Sequence, residues 1–443
     1  MRIVSSIEPP ESSPKYPQHS WLLPVKAELG DEDWIRIRKV VNEVSRTEDE
    51  AERWITALEV GQWAAVMALL LSVSPNLEEL KIDEWSYHNG DYENLLEALE
   101  RARILQDLGK ESLFSMSKLR VVSVNYYDTE SGYGFEQVVP FLELKSVEAF
   151  RGHMVSQGDA KNFNDPRLNY PKLTTKDLTF YMSAIGHFDM VIILRCFPLL
   201  ERFHYEYGGA IVGDAEFEPP QMMAALEHLK PCLKDLTLMT DHWENYSTLE
   251  SYPIGSLAAF QKLVSLAANV SIMVGEDSND FDDVDDEIAR TQNLVDAIPP
   301  TLESLSLIDC KSHIVDHIFE LVSQKPWGTP ALRKLDLGWE GIKYPDKDSP
   351  REPILHPGFT KEVAAKLMAE CEAVDIEIAI EYQPPKPKYV SFMRPGQPLD
   401  GESADPIPTR IARYFEYPYE GYEEYCEQNG CDPETGEQRL SPL

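Results

Sequence analysis

The amino-acid sequence predicts an α/β chain: a horseshoe-like solenoid of irregular leucine-rich repeats, with parallel strands on the concave face, helices on the convex face and a helical cap at the N-terminal end. Three observations predict it. A short phrase, L-x-x-L-x-L with other apolar residues standing for leucine, recurs in "PNLEELKID" (75–83), "PTLESLSLIDC" (300–310) and "PALRKLDLG" (330–338). Its last three positions alternate apolar and polar, the period of a strand with one buried face. The segments between phrases have helical spacing instead.

Residues 1–30 are rich in proline and serine and are expected to be an extended lead-in. Residues 31–74 are the expected cap: Ile37, Val40, Val41 and Val44 share one helical face, Ala51, Trp54, Ile55 and Leu58 share another, and "WAAVMALLLSV" (63–73) follows. The phrase then begins at Leu77, Leu119, Leu144, Thr175, Leu200, Leu233, Leu263, Leu302, Leu332 and Ala373. The intervals are 42, 25, 31, 25, 33, 30, 39, 30 and 41 residues, so 75–383 is expected to be an array of about ten units. Leucine-rich repeats usually run about 20–29 residues, so most units here carry insertions. Helices are expected over 91–109, 219–231, 286–300, 313–326 and 360–372, the first closed by Gly109 and several others by proline. One such unit cannot bury its own apolar face, and stacking on its neighbours does so. The segment 275–287 is an acidic insertion, and 384–443 is a proline- and tyrosine-rich tail, expected to lie along the body, with a partner-binding tail and free disorder as the alternatives.

Charge and composition exclude several classes. With 76 acidic against 41 basic residues the net charge is −35, which repels phosphate backbones and anionic lipid. Neither nucleic acid nor membrane is expected as a partner, whereas a protein or peptide with a basic surface would be steered in. The longest apolar run, 63–73, is too short to span a bilayer, and the first residues have no signal-type apolar core. Six scattered cysteines suit a reducing compartment, so the expected location is cytoplasm or nucleus.

The residues "SVSPNLEELKID" (72–83), "FPLLERFHYEY" (197–207), "LKPCLKDLTL" (229–238) and "PPTLESLSLIDC" (299–310) resemble those of fungal leucine-rich-repeat proteins of the F-box-associated type. The resemblance covers roughly 60–380. It implies a relative of the substrate receptors of cullin-type ubiquitin ligases, which dock onto a ligase adaptor through an F-box. Here "WLLPVKAEL" (21–29) only faintly echoes that module, so the F-box is expected to be absent or degenerate. The consensus asparagine or cysteine after the last strand leucine occurs once, as Cys310, which predicts an irregular curve.

Candidate chemistry is sparse. His313 and His317 are spaced to share a helix face, but no third metal ligand accompanies them. Cys426 and Cys431 lack a second cysteine pair, and the acidic insertion fails the calcium-loop register by placing Phe281 where glycine is required. None of GxSxG, GxxxxGK[ST] and GxGxxG occurs. Neither catalysis nor a cofactor or metal is therefore expected.

What remains is the strand surface, where residues flanking the apolar positions point away from the core. The expected binding residues are Glu148, Phe150, Asp177, Tyr181, Arg202, His204, Glu206, Asp235 and Met239, an acid-rimmed patch with aromatic and Met anchors. The expected function is a non-catalytic protein–protein interaction module. The alternatives are a ligase receptor with a divergent F-box, and an enzyme or auxiliary protein of small-molecule metabolism with a pocket under the tail.

Overall fold

A computed structural model describes residues 2–3, 29–82, 93–110, 112, 114–126, 132–156, 172–208, 217–240, 252–275, 292–339 and 359–382. The chain divides into two compact units, Met1–Leu249 (unit 1) and Glu250–Leu443 (unit 2). The expected lead-in (all but its edges), the acidic insertion beyond Gly275, the tail and the pair Cys426/Cys431 lie outside the described residues.

Unit 1 is built on a parallel sheet. Its strands are β1 (Arg2–Ile3), β2 (Glu79–Ile82), β3 (Val121–Asn125), β5 (Ala149–His153), β7 (Asp177–Ser183), β8 (Arg202–Tyr207) and β9 (Asp235–Thr240), paired in that spatial order. A second, two-stranded sheet pairs β4 (Tyr133–Gly134) with β6 (Val155–Ser156), and Ser156 bridges to Ala184 just after β7. The helices of this unit are α1 (Asp31–Val44), α2 (Glu48–Glu59) and α3 (Trp63–Ser72) before β2, α4 (Glu93–Asp107) before β3, α5 (Val139–Leu142) before β5, α6 (His187–Arg195) before β8 and α7 (Pro219–Leu226) before β9. Unit 2 repeats the plan with β10 (Ser265–Asn269), β11 (Ser304–Cys310), β12 (Lys334–Trp339) and β13 (Glu377–Tyr382), again parallel. Between them come α8 (Val270–Val274), α9 (Leu294–Ala297), α10 (Ile314–Gln324) and α11 (Lys361–Ala373). Both units are thus α/β, with parallel strands and intervening helices.

The helices start and stop where local chemistry directs. Thr47 caps α2 by accepting from the Glu50 amide at 3.1 Å, and Glu48, Asp49 and Glu50 face the positive end of that helix. Gly109 takes φ +63° after α4, a left-handed stop that suits glycine. Helices α1, α2 and α3 share a core of Val41, Val44, Trp54, Leu58 and Ala65 that extends to Ala98 of α4. These helices therefore continue the helical side, and it is the short strand β1 that pairs with the edge of β2. No single helix among the described residues is long and apolar enough to cross a membrane.

Ten strands carry the repeated phrase, and their register tests its phase. Leu80, Val122, Phe150, Leu178, Phe203 and Leu236 are cross-strand partners, as are Leu266, Leu305, Leu335 and Ile378. The expectation for Leu144 is corrected here. Phe150 is fully buried, so it is an inward tooth and not a binding residue. The phrase of that unit starts at Val147, three residues later, which turns intervals of 25 and 31 into 28 and 28. The cause is Gly152, which occupies the last inward position where neighbouring strands have Val124 and Phe180. A Cβ there would meet Val155 Cγ2 at 2.5 Å and the Tyr133 hydroxyl at 2.8 Å. Tyr133 fills the space instead, buried and donating to the Val124 carbonyl at 3.0 Å. The last unit is also shifted, to Asp375, but by two residues, which leaves Glu377 and Ala379 on the face expected.

Candidate functional site

Because side chains alternate across a strand, the residues between the buried teeth form the opposite face of the unit 1 sheet. Three files run across β2 to β9. The first precedes each strand: Glu78, Arg120, Glu148, Lys176, Glu201 and Lys234. Each amide in it donates to the carbonyl of the one before, at 2.7–2.8 Å. Its charges alternate in sign at every step. Arg120 meets Glu148 at 3.2 Å and Lys234 meets Glu201 at 2.6 Å. The Lys234 hydrogen bond, helped by Lys176 and Arg202, holds the Glu201 carboxyl below its usual range. Glu148 is therefore exposed but neutralised, and belongs to this ladder.

The second file includes Asp177, Arg202 and Asp235, opposite one another on β7, β8 and β9. Arg202 donates through Nε to Asp177 Oδ2 at 3.0 Å. Burial pushes the Asp235 carboxyl up, opposed by the nearby Arg202 charge. The third file runs Lys81, Ser123, Arg151, Thr179, His204 and Thr237, each in register with the next. Beyond it stand Tyr181, Glu206 and Met239.

Of the predicted binding residues, the structure brings together Tyr181 with His204, and Asp177 with Arg202. The Tyr181 and His204 rings lie 4.7 Å apart. Glu206 and Met239 are cross-strand partners, Glu206 half-buried and Met239 largely covered. His204 is more deeply placed than expected: it is 5% exposed, neither ring nitrogen has a hydrogen-bond partner among the described residues, and burial depresses its pKa to about 4. The residues missed are Arg151 and His153, which the corrected phase brings to the face in place of Phe150. The equal 28-residue spacing was the available signal for them.

Elsewhere the chemistry is quiet. Among the described residues no group of three or more His, Cys, Asp or Glu side chains is placed to hold a metal ion. His317 lies within α10 and His313 at its N-terminal boundary. Cys196, Cys232, Cys310 and Cys371 are not in disulfides, and burial raises Cys196 and Cys371 to about 11, away from nucleophilic use. A cleft of about 740 Å³ on the helical side, beside α2, α4 and α5, is lined by Arg53, Leu96, Glu97, Glu100, Arg103, Pro140 and Glu143. Its charges are largely spent on one another, as in Arg53–Glu97 at 3.1 Å and Arg103–Glu143 at 3.6 Å.

No protein-family model matches the chain, and no curated protein matches it either.

Proposed function

We propose that the chain is a non-catalytic binding module of leucine-rich-repeat type that recognises a protein or peptide along the strand face of unit 1. The observation that carries this reading is the division of labour within each strand. The teeth of the unit 1 strands are buried and, Gly152 apart, apolar, while Arg151, Thr179, Tyr181, Arg202, His204, Glu206 and Met239 change from strand to strand. A surface that varies in chemistry on a constant scaffold suits selective recognition, with Tyr, Met and Arg as its anchors. The net charge of −35 favours a partner whose rim is basic. Cytoplasm or nucleus is the proposed location, consistent with these four cysteines not being in disulfides.

The test is a photo-cross-linking residue placed at position 237 on β9 of the tagged chain, beside His204 in the third file, with position 368 on α11 as control. Partner capture at 237 and not at 368 is expected. A folded Arg151→Ala, Tyr181→Ala double variant that recovers the same partner in the same yield overturns the reading.

A second reading, a substrate receptor of a cullin-type ubiquitin ligase with a divergent F-box, draws on the three-helix cluster α1–α3. Ligase adaptor and cullin should then co-purify with the chain and be lost when 31–72 is removed; their absence from the purified complex removes this reading. The reading as an enzyme with a pocket under the tail concerns residues outside those described and gains no support from the files of the strand face.

A further inference from the structure

The middle of the unit 1 strand face holds an imidazole that bonds to nothing among the described residues. Both His204 nitrogens are buried there without a hydrogen-bond partner, a standing cost to the folded chain. Thr179 lies directly across on β7 and Thr237 directly across on β9. The Tyr181 ring tilts over the imidazole at 52°. One strand beyond Thr179, in the same file, stands Arg151. It is exposed and makes no ion pair among the described residues, whereas Arg120, Arg202 and Lys234 each hold a carboxylate. An orphaned imidazole and an unspent guanidinium thus flank one threonine, each from a strand about 4.8 Å away.

We propose that this place is an oxyanion subsite of the partner-binding face: it takes a carboxylate or a phosphate monoester borne by a peptide, lodged over Thr179 between Arg151 and His204. The proposal rests on the reading of this face as the partner surface. An oxyanion is the group that serves these donors together. The guanidinium donates a forked pair of N–H bonds, the Thr179 hydroxyl donates one more, and the imidazole donates a ring N–H. Burial keeps His204 neutral near pH 7, so one nitrogen carries that proton. The partner of an acidic protein is then basic at its rim and anionic at its anchor. Asp177 and Asp235 flank Arg202, and Glu206 stands further along β8; these carboxylates limit the subsite to a single anion.

Tyr181 must swing aside to admit the group, and the backbone beneath it is already irregular. Met182 has φ +43°, and the β7–β8 register shifts between Phe180 and Ser183. The ring therefore stands on a bulge, where a regular strand would hold it more tightly.

The test uses the full chain labelled with 15N-histidine and titrated separately with inorganic phosphate and with acetate. The His204 ring signals, assigned by their loss in His204→Gln, report occupancy, and His317 on α10 serves as the internal control. A saturable shift confined to His204 is expected, weakened at least about tenfold by Arg151→Ala and strengthened by Tyr181→Ala. A response to phosphate alone assigns a phosphorylated side chain; a response to acetate as well assigns a carboxylate. No saturable shift with either anion, in both the wild type and Tyr181→Ala, overturns the subsite, as does a shift untouched by Arg151→Ala. Cross-linking at position 237 keeps Arg151 in place and is read independently of these anions, so failure of the subsite and failure of the partner face are told apart.

Discussion

The two units solve the same burial problem with different materials. In unit 1 the central teeth are aromatic: Phe150, Phe180, Phe203 and Tyr205 follow one another across β5, β7 and β8. Phe150, Phe180 and Phe203 meet edge to face at 6.3 and 6.5 Å, and Phe135 closes on Phe180 at 6.1 Å. In unit 2 the teeth are leucines, Leu266, Leu305, Leu307, Leu335 and Leu337, which pack without directional demands. The opposite faces differ in the same sense. Strands β10 and β11 offer Ser265, Ala267, Ser304 and Ser306, β12 adds Lys334 paired with Asp336 at 2.7 Å and β13 adds Glu377 and Ala379, while β5 to β9 offer arginines, histidines, acids and Tyr181. A constant backbone plan therefore does not imply constant function: chemical variety is concentrated on unit 1, and the binding proposal is placed there for that reason.

The contrast can be broken or sharpened by substitution. Phe150→Ala removes a fully buried ring and is expected to lower unit 1 stability by about 4 kcal/mol, read as a shifted denaturant midpoint. An unchanged midpoint with lost partner binding would restore Phe150 to the surface and undo the corrected phase. Leu305→Ala in unit 2 should cost somewhat less, about 3 kcal/mol, read in the same way.

The pH dependence of His204 comes next. Its folded pKa of about 4 lies below the ordinary 6.5, so between those values the unfolded chain carries a proton that the folded chain does not. Its contribution is complete above about pH 6.5 and is lost as the pH falls, by about 2 kcal/mol at pH 5. Urea midpoints of wild type and His204→Gln at pH 7.5 and pH 5 should differ by that amount; parallel curves would refute it.

Tyr205→Phe probes the polar demand of the aromatic teeth. The Tyr205 hydroxyl donates to the Ile185 carbonyl at 2.6 Å and accepts from the Ile185 amide at 3.1 Å. Its removal strands both groups and should cost about 1–2 kcal/mol in thermal unfolding, whereas the leucine teeth have no equivalent. Smallest of all, Arg120→Ala breaks an exposed pair with Glu148 and should change stability by roughly 0.5 kcal/mol or less, vanishing in high salt.

Most of the architecture was legible because apolar periodicity and strand register are the same fact seen twice. Eight of the ten phrase starts, from Leu77 to Leu332, fall in the observed register. The exception at Leu144 arises because glycine stands where an apolar tooth was sought, and its partner in the space, Tyr133, comes from a different segment of chain. An error of three residues turned that strand over, exchanging Arg151 for Phe150. The error of two at Ala373 did no such harm, since side-chain direction repeats every second residue. The orphaned state of His204 had no signature in sequence, because it depends on which side chains across β7 and β9 offer it no partner.

The ladder of alternating charges gives the stack a parity. Removing one complete strand-and-helix unit from within Glu78 to Lys234 would set like charge beside like, for example Arg120 beside Lys176. Removing two adjacent units would restore acid beside base. Chains shortened by an even number of units should therefore close up more readily than those shortened by an odd number, so for deletion or duplication the smallest interchangeable piece of this protein is a pair.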